Sequence, residues 1–183
     1  GEPRGCGGTR GALAHWPGSG GEPPPRGGHP DDPERGEEAR AKAIPRERRR
    51  VYKVRTIIDA VVDRERGEGE TATSFFEIGR NWGRSAVTGL ARVDGWPVAI
   101  LANDPYHYGG GWTADASRKV ERFIDLAETF RLPVIHLVDN PGLVIGPQSE
   151  EQATIRNGAR APATISHATV RWSTGLRRKA YRL

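Results

Sequence analysis

The sequence predicts an α/β domain that follows a long segment rich in glycine and proline. Three observations carry this prediction. Apolar residues recur at helical spacing from Val54, an Asp-Gly pair separates two strand-like runs, and helices alternate with strands after that pair. Such alternation is typical of parallel strands joined by helical crossovers, which defines the α/β class.

The first 50 residues differ in composition from the rest. They hold 11 glycines and 8 prolines, and Trp16 is their only aromatic residue. A segment of this kind cannot bury enough apolar surface to offset its chain entropy. We therefore expect residues 1–48 to form a disordered linker and residues 49–183 to form the folded domain.

The domain begins with a predicted amphipathic helix. Val54, Ile57, Ile58, Val61 and Val62 share one helical face, which predicts a helix of about three turns. After a charged loop, the short apolar block at residues 75–78 is expected to dock that loop on the core.

An antiparallel hairpin is predicted next. The β-prone runs at residues 86–93 and 96–102 are separated by Asp94 and Gly95, and Asp-Gly is a strong signal for a two-residue hairpin turn.

The remaining elements alternate. The pattern predicts a helix over residues 115–131, capped by Asp115 or Ser117 and ended by Pro133. The apolar run at 134–138 predicts a strand covered on both faces. A helix over 150–161 and a strand over 169–176 complete the order. Because ligands of such folds lie beyond the carboxyl ends of the strands, we expect a site where the loops at 103–116 and 139–149 meet.

The first of these loops contains three consecutive glycines: Gly109, Gly110 and Gly111. Without β-carbons, their backbone N–H groups could approach a phosphate or a developing oxyanion closely. The alternative is a flexible turn without a binding role.

The second loop begins with Asp139, Asn140, Pro141 and Gly142 after the predicted buried strand. This pattern resembles the magnesium-side motif of GTPases, but those enzymes also need a Gly-x-x-x-x-Gly-Lys-Ser/Thr loop, which the sequence lacks. A nucleotide hydrolase is therefore disfavoured. The alternative is a tight turn that needs proline and glycine for its dihedral angles.

Histidines and hydroxyl nucleophiles give little indication of catalysis. The five histidines lack metal-ligand spacing, and no Gly-x-Ser-x-Gly nucleophile elbow is present. His136, inside an apolar strand, is expected to be a core residue with its hydrogen bonds satisfied. His107, beside the glycine loop, is the one histidine to test for function.

Composition excludes several protein classes. A single cysteine, Cys6, allows neither an internal disulfide nor a multi-cysteine metal site, and it favours a reducing, cytoplasmic setting. The longest apolar run, 97–102, is too short to span a bilayer, and the N-terminus lacks a secretory signal. The sequence has no methionine and begins at Gly1, which indicates a processed product or a piece of a longer chain.

The net charge of +5 invites a nucleic-acid interpretation. The basic runs at 46–55 and 177–182 are instead interpreted as a solvated linker and a solvated chain end, because neither is accompanied by an RNA-binding aromatic signature or zinc-finger spacing.

Eight segments resemble, in chain order, the motifs of a single family. They are 49–55 (R-x-Y-D-x-R), 89–98 (G-x-A-R-hydrophobic-x-G-x-P-V), 103–123 (N-x-P … G … K-x-x-R-F), 132–135 (I-P-hydrophobic), 139–146 (D-x-P-G-F-x-x-G), 150–159 (E-x-G-G-x-I-R-x-G-A), 168–170 (A-T-V-P) and 178–181 (R-K-A-Y-G). The family is the carboxyltransferase (β) subunit of biotin-dependent acyl-CoA carboxylases. The resemblance covers residues 45–181 and is to the C-terminal domain.

The resemblance implies a crotonase-like fold of stacked ββα units. It implies carboxyl transfer from carboxybiotin to the α-carbon of an acyl-CoA such as propionyl- or acetyl-CoA, with two oxyanions stabilised by backbone amides and without a metal. The implied partners are the acyl-CoA, the biotin carboxyl carrier and biotin carboxylase subunits, and further copies of the chain, with neither membrane nor nucleic acid. The implied substrate-binding residues are Gly109, Gly110, Gly111, Pro141, Gly142, Gly146, Ala180 and Tyr181.

Departures from the family pattern predict an incomplete site. Arg182 follows Tyr181 where the family has glycine, and Gln152 and Ala153 replace glycines after the glutamate. No residue is assigned a catalytic role. We expect a truncated domain that is inactive alone, and the alternative is a non-catalytic crotonase-like interaction module.

Overall fold

The computed structural model describes residues 51–66, 71–144 and 160–180. The predicted linker, 1–48, lies outside these residues, as do Gly146 and Tyr181. The helices of the described residues are α1 (Val54–Val61), α2 (Ala114–Thr129) and α3 (Arg160–His167). The strands are β1 (Arg64–Arg66), β2 (Thr71–Thr73), β3 (Phe76–Ile78), β4 (Ala86–Val93), β5 (Trp96–Asn103), β6 (Val134–Asn140) and β7 (Trp172–Ala180).

The five strands β3 to β7 form one mixed sheet in sequence order, and β1 and β2 form a separate antiparallel pair. β3, β4 and β5 pair antiparallel, whereas β5, β6 and β7 run parallel. The predicted crossovers are confirmed: α2 links β5 to β6, and α3 lies between β6 and β7. β4, β5 and α2 together make a ββα unit.

The sheet is covered on both faces. Ala99 and Leu101 of β5 join one apolar cluster with α2 and α3. The alternate residues Val98, Ile100 and Ala102 join a second cluster with α1. This explains why β5 is a continuous apolar run, since successive side chains point to opposite faces.

The hairpin prediction is confirmed in detail. β4 and β5 pair from Ala86 with Asn103 to Val93 with Trp96, which leaves Asp94 and Gly95 as the two-residue turn. Both turn residues have positive φ, 52° and 75°, as the favoured hairpin turns require. Asp63, beyond α1, accepts hydrogen bonds from the turn N–H groups of Asp94 (2.9 Å) and Gly95 (2.7 Å).

The predicted cap of α2 was wrong. The N-cap is Thr113, whose hydroxyl oxygen accepts a hydrogen bond from Ala116 N–H at 3.2 Å. Asp115 instead lies in the first turn, where its charge is favourable near the positive end of the helix dipole.

Other boundaries also shifted. The apolar block at 75–78 packs on the core through Phe75 and Ile78, as predicted, and in addition forms the edge strand β3, which was not predicted. β6 extends two residues beyond the predicted 138, to Asn140, and β7 covers 172–180 instead of 169–176. The helix predicted over 150–161 falls mostly outside the described residues, and α3 begins at Arg160.

Candidate functional site

The carboxyl ends of three parallel strands meet at one edge of the sheet. β5 ends at Asn103 and β6 at Asn140, while Ala180 at the end of β7 is the backbone partner of Asn140. The loops that follow β5 and β6 leave from this edge. The predicted convergence of 103–116 and 139–149 is confirmed for the described part of each loop.

Backbone hydrogen bonds join the two loops directly. Trp112 N–H donates to the carbonyl of Gly142 at 3.0 Å, and Val144 N–H donates to the carbonyl of Trp112 at 2.9 Å. These two bonds form a parallel bridge between Trp112 and Leu143. The Trp112 side chain is fully buried in the apolar cluster that includes α2, and this packing holds the junction of the two loops in place.

The side chain of Asn103 forms a hydrogen bond with each of the two loops. Its amide nitrogen donates to the carbonyl of Gly110 at 3.1 Å, and its amide oxygen accepts from Asp139 N–H at 3.2 Å. The side chain is completely buried, so both bonds are shielded from water. Sequence reasoning assigned Asn103 no structural role, although its position at the end of an apolar strand was a usable signal.

The glycine loop folds as a short 3-10 turn over Tyr108–Gly110. Within it, Gly110 N–H donates to the carbonyl of His107 at 2.9 Å and Gly111 N–H to the carbonyl of Tyr108 at 3.0 Å. Two of the three glycine amides are thus engaged within the loop. Gly109 N–H forms no hydrogen bond to another described residue.

Each glycine serves a different purpose. Gly110 has φ +89° and its α-carbon faces the carbonyl of Asp139, so a β-carbon would collide there. A β-carbon on Gly111 would lie 3.1 Å from the Val144 side chain. Gly109 and Gly142 also have positive φ, but a β-carbon on either would meet no described atom within 4 Å. The described residues therefore leave open space beside each of these two glycines.

The remaining predicted site residues are only partly placed. Pro141 lies between Asn140 and Gly142, and Gly142 N–H donates to the Asn140 side-chain oxygen at 2.8 Å. The amide of Gly142 is therefore occupied, like those of Gly110 and Gly111. Ala180 lies at the same edge through its backbone pairing with Asn140.

A charged cluster that sequence reasoning missed supports the same loop. Arg55 on α1 forms a bidentate pair with Glu77 on β3, with contacts of 2.9 and 2.5 Å, and contacts Asp104 at 2.7 Å. A cavity of about 510 Å³ opens beside the cluster, and its lining includes Arg55, Asp104, Tyr106 and His107. His107, singled out from sequence, therefore lies at this cavity.

Burial lowers the pKa values of two basic residues, Lys119 and His136. Burial lowers the pKa of Lys119 from 10.5 to about 8, and its ammonium group donates to the carbonyl of Ala86 at 2.7 Å. Burial lowers the pKa of His136 to about 4. His136 is buried, as predicted. The prediction that its hydrogen bonds are satisfied was wrong for Nε2, which has no hydrogen-bond partner among the described residues.

Two other kinds of feature are absent from the described residues. No helix there is long and apolar enough to cross a membrane. No group of three or more metal-ligating side chains occurs in the same part of the chain.

Comparisons with known proteins agree with this architecture. Residues 3–181 match the carboxyl transferase domain. The propionyl-CoA carboxylase carboxyltransferase subunit of Haloferax mediterranei is 35% identical over 169 residues, which are 92% of this chain and 31% of that protein. The biotin-dependent acetyl-/propionyl-coenzyme A carboxylase beta6 subunit of Mycobacterium bovis is 35% identical over 138 residues, 75% of this chain and 28% of that protein.

A solved structure shows the same fold. The transcarboxylase 12S hexamer with methylmalonyl-coenzyme A and methylmalonic acid bound has a TM-score of 0.79 and 30% identity, covering 92% of this chain and 31% of that one. The fold is thus crotonase-like, as the resemblance implied. The chain spans less than a third of the length of these relatives. By this match over nearly its full length, the chain belongs to the carboxyl transferase domain family of acyl-CoA carboxylases.

Proposed function

We propose that this chain supplies the biotin-side half of a carboxyltransferase site, which transfers a carboxyl group from carboxybiotin to the α-carbon of an acyl-CoA. The single observation that carries the proposal is the hydrogen-bonded pair of loops at the carboxyl ends of β5 and β6, in which the amide of Gly109 takes no part in the loop's own hydrogen bonds. The relatives' names, which specify biotin-dependent acetyl- and propionyl-CoA carboxylases, support the same reaction.

The chemistry explains why a backbone amide suffices. During carboxyl transfer, the N–C bond of carboxybiotin breaks and negative charge develops on the ureido oxygen of biotin. The α-carbon of the acyl-CoA then loses its proton to that biotin nitrogen, so negative charge develops on the thioester oxygen until the C–C bond to the carboxyl carbon forms. A preorganised N–H donor in a partly dry site stabilises such charge without a metal. The open space beside Gly109 and Gly142 fits the close approach of a ureido carbonyl, because no β-carbon intervenes.

This chain contributes one of the two oxyanion sites under the proposal. Partner proteins supply the acyl-CoA site, the biotin carboxyl carrier and the biotin carboxylase. Further copies of the chain are also partners in this proposal. We therefore expect the chain alone to show no turnover. Tyr181 and Gly146 complete the biotin side in this proposal, by their match to the family motifs.

The test is an assay of acyl-CoA-dependent decarboxylation of carboxybiotin, run on the chain alone and with an added acyl-CoA-binding carboxyltransferase N-terminal domain. We expect activity only in the mixture. Robust turnover by the chain alone would refute the division of the site. A Gly109→Val variant should reduce activity in the mixture, whereas Trp96→Ser, at the opposite end of β5, should not.

A second candidate is a non-catalytic crotonase-like module that docks on a complete carboxylase. The departures at Gln152, Ala153 and Arg182 favour it. Co-purification with carboxylase subunits, combined with unchanged activity in Gly109→Val, would select this candidate over the first.

A further inference from the structure

The guanidinium group of Arg55 links three separate elements of the fold. It pairs with Glu77 through Nε and Nη2, and with Asp104 through Nη1 at 2.7 Å. Arg55 is on α1 and Glu77 is on the edge strand β3, whereas Asp104 is the first residue after β5. The first helix of the domain is thus connected to the start of the glycine loop.

The two carboxylate oxygens of Asp104 have different partners. Oδ2 receives the Arg55 hydrogen bond, and Oδ1 accepts from Tyr106 N–H at 3.0 Å, which closes a turn within the loop. The Asp104 side chain is only 4% exposed. A carboxylate this buried needs a charged or hydrogen-bonding partner to remain where it is, and Arg55 is the cation that contacts it among the described residues.

Backbone hydrogen bonds continue from Asp104 to the glycines. His107 N–H donates to the Asp104 carbonyl at 3.1 Å, and Gly110 N–H donates to the His107 carbonyl at 2.9 Å. The turn over 104–107 ends at His107, and the turn over 107–110 begins there. Displacement of Asp104 therefore changes the path of the backbone that presents Gly109 N–H.

We propose that Arg55 and Glu77 are positioning residues that set the conformation of the 104–111 loop through Asp104. Arg55 holds the Asp104 carboxylate in one orientation and is itself oriented by the bidentate pair with Glu77. The inference rests on the proposed function for its consequence in ligand binding, but the positioning itself is a property of the structure that can be measured separately.

A purely stabilising ion pair is the alternative, and it predicts a different pattern. Loss of a stabilising pair lowers the free energy of unfolding and raises amide exchange throughout the domain. Loss of a positioning contact raises exchange only at the amides that depend on Asp104, because local opening and global unfolding are separate events.

The experiment is amide hydrogen exchange, residue by residue, on the full chain and its variants. In Arg55→Ala we expect the exchange of Tyr106, His107 and Gly110 to rise about tenfold or more, as for loss of a hydrogen bond to a charged group. Exchange at Ala99, in the middle of β5, should stay unchanged. Arg92→Ala is the matched control, since Arg92 makes one hydrogen bond to Gly95 at the far end of the hairpin. It should leave the loop unaffected.

Two further variants keep the test decisive if Arg55→Ala does not fold. Asp104→Asn keeps an acceptor for Tyr106 N–H but loses the charge that holds Arg55, and Arg55→Lys keeps the charge but loses the bidentate geometry. Both should raise loop exchange by a smaller factor than Arg55→Ala. Unchanged loop exchange in these folded variants, or an equal rise at Ala99, would overturn the proposal.

Biotin titration of the same samples separates this inference from the proposed function. We expect biotin to shift the Gly109 amide resonance of the wild-type chain, and Arg55→Ala to weaken that binding. If biotin leaves the wild-type Gly109 resonance unmoved while Arg55→Ala still raises loop exchange, the biotin-side function fails and the positioning role stands.

Discussion

The α-carbon of Gly110 lies against the carbonyl oxygen of Asp139, and no side chain fits between them. This contact joins the loop after β5 to the end of β6. It also explains why the middle glycine of the three is structural, whereas Gly109 beside it faces open space.

Substitution of Gly110 by alanine should therefore be far more costly than the same change at Gly109. Gly110→Ala combines a collision with a left-handed backbone, and we expect it to lower the free energy of unfolding by about 3 kcal/mol or more. Gly109→Ala has only the backbone strain, about 1 kcal/mol. Denaturant unfolding of the two variants measures the difference, and equal losses would contradict the close contact.

Asn103 should be needed for the junction of the two loops. Asn103→Ala removes both buried hydrogen bonds and leaves the Gly110 carbonyl and the Asp139 N–H without that partner, which we expect to cost about 2–4 kcal/mol. Asn103→Asp keeps the acceptor for Asp139 N–H but loses the donor to Gly110. Chemical denaturation should rank both variants below the wild type, and a loss under about 0.5 kcal/mol in Asn103→Ala would argue against the bonds.

Lys119 should make stability rise with pH in the alkaline range. Because its pKa is lowered to about 8 from 10.5, the folded chain releases this proton before the unfolded chain does. The unfolded state then binds more protons between these values, so the free energy of unfolding rises with pH. Lys119→Met removes this titration. The wild type should gain stability relative to the variant from pH 8 to 10.5, and parallel curves would exclude a lowered pKa.

His136 should destabilise the domain in acid. Its folded-state pKa is about 4 against an ordinary 6.5, so protonation favours the unfolded chain as pH falls through this window. Relative to His136→Phe, the wild type should lose up to about 3 kcal/mol between pH 6.5 and 4. Phenylalanine preserves a ring against Trp172, whose centroid lies 5.7 Å from that of His136. Thermal unfolding across this range checks the sign, and a wild type that gains stability on acidification would contradict it.

Much of the fold followed from local patterns. The β4–β5 hairpin depends on Asp94 and Gly95, whose turn chemistry is local, and α2 depends on apolar spacing between Thr113 and Pro133. The order of elements was enough to predict parallel strands and convergent loops. The cap of α2 was misassigned because aspartate, serine and threonine all cap well, and only the backbone angles at Thr113 distinguish them.

The candidate site was predictable in position but not in detail. Three glycines after a strand indicated amides available to a ligand, yet the amides of Gly110 and Gly111 bond within the loop. Which N–H groups remain depends on φ and ψ at each residue, and a run of glycines leaves those angles undetermined.

The sequence by itself determined the family, the order of strands and helices, and the edge of the sheet where the loops meet, because these follow from periodicity and from motifs read along the chain. Only the tertiary structure decided that Asn103 joins the two loops and that Arg55 and Glu77 reach Asp104. Arg55 and Asp104 are 49 positions apart, and Asn103 and Asp139 are 36 apart. Contacts over such separations arise from the packing of the sheet and its helices, which no local pattern encodes.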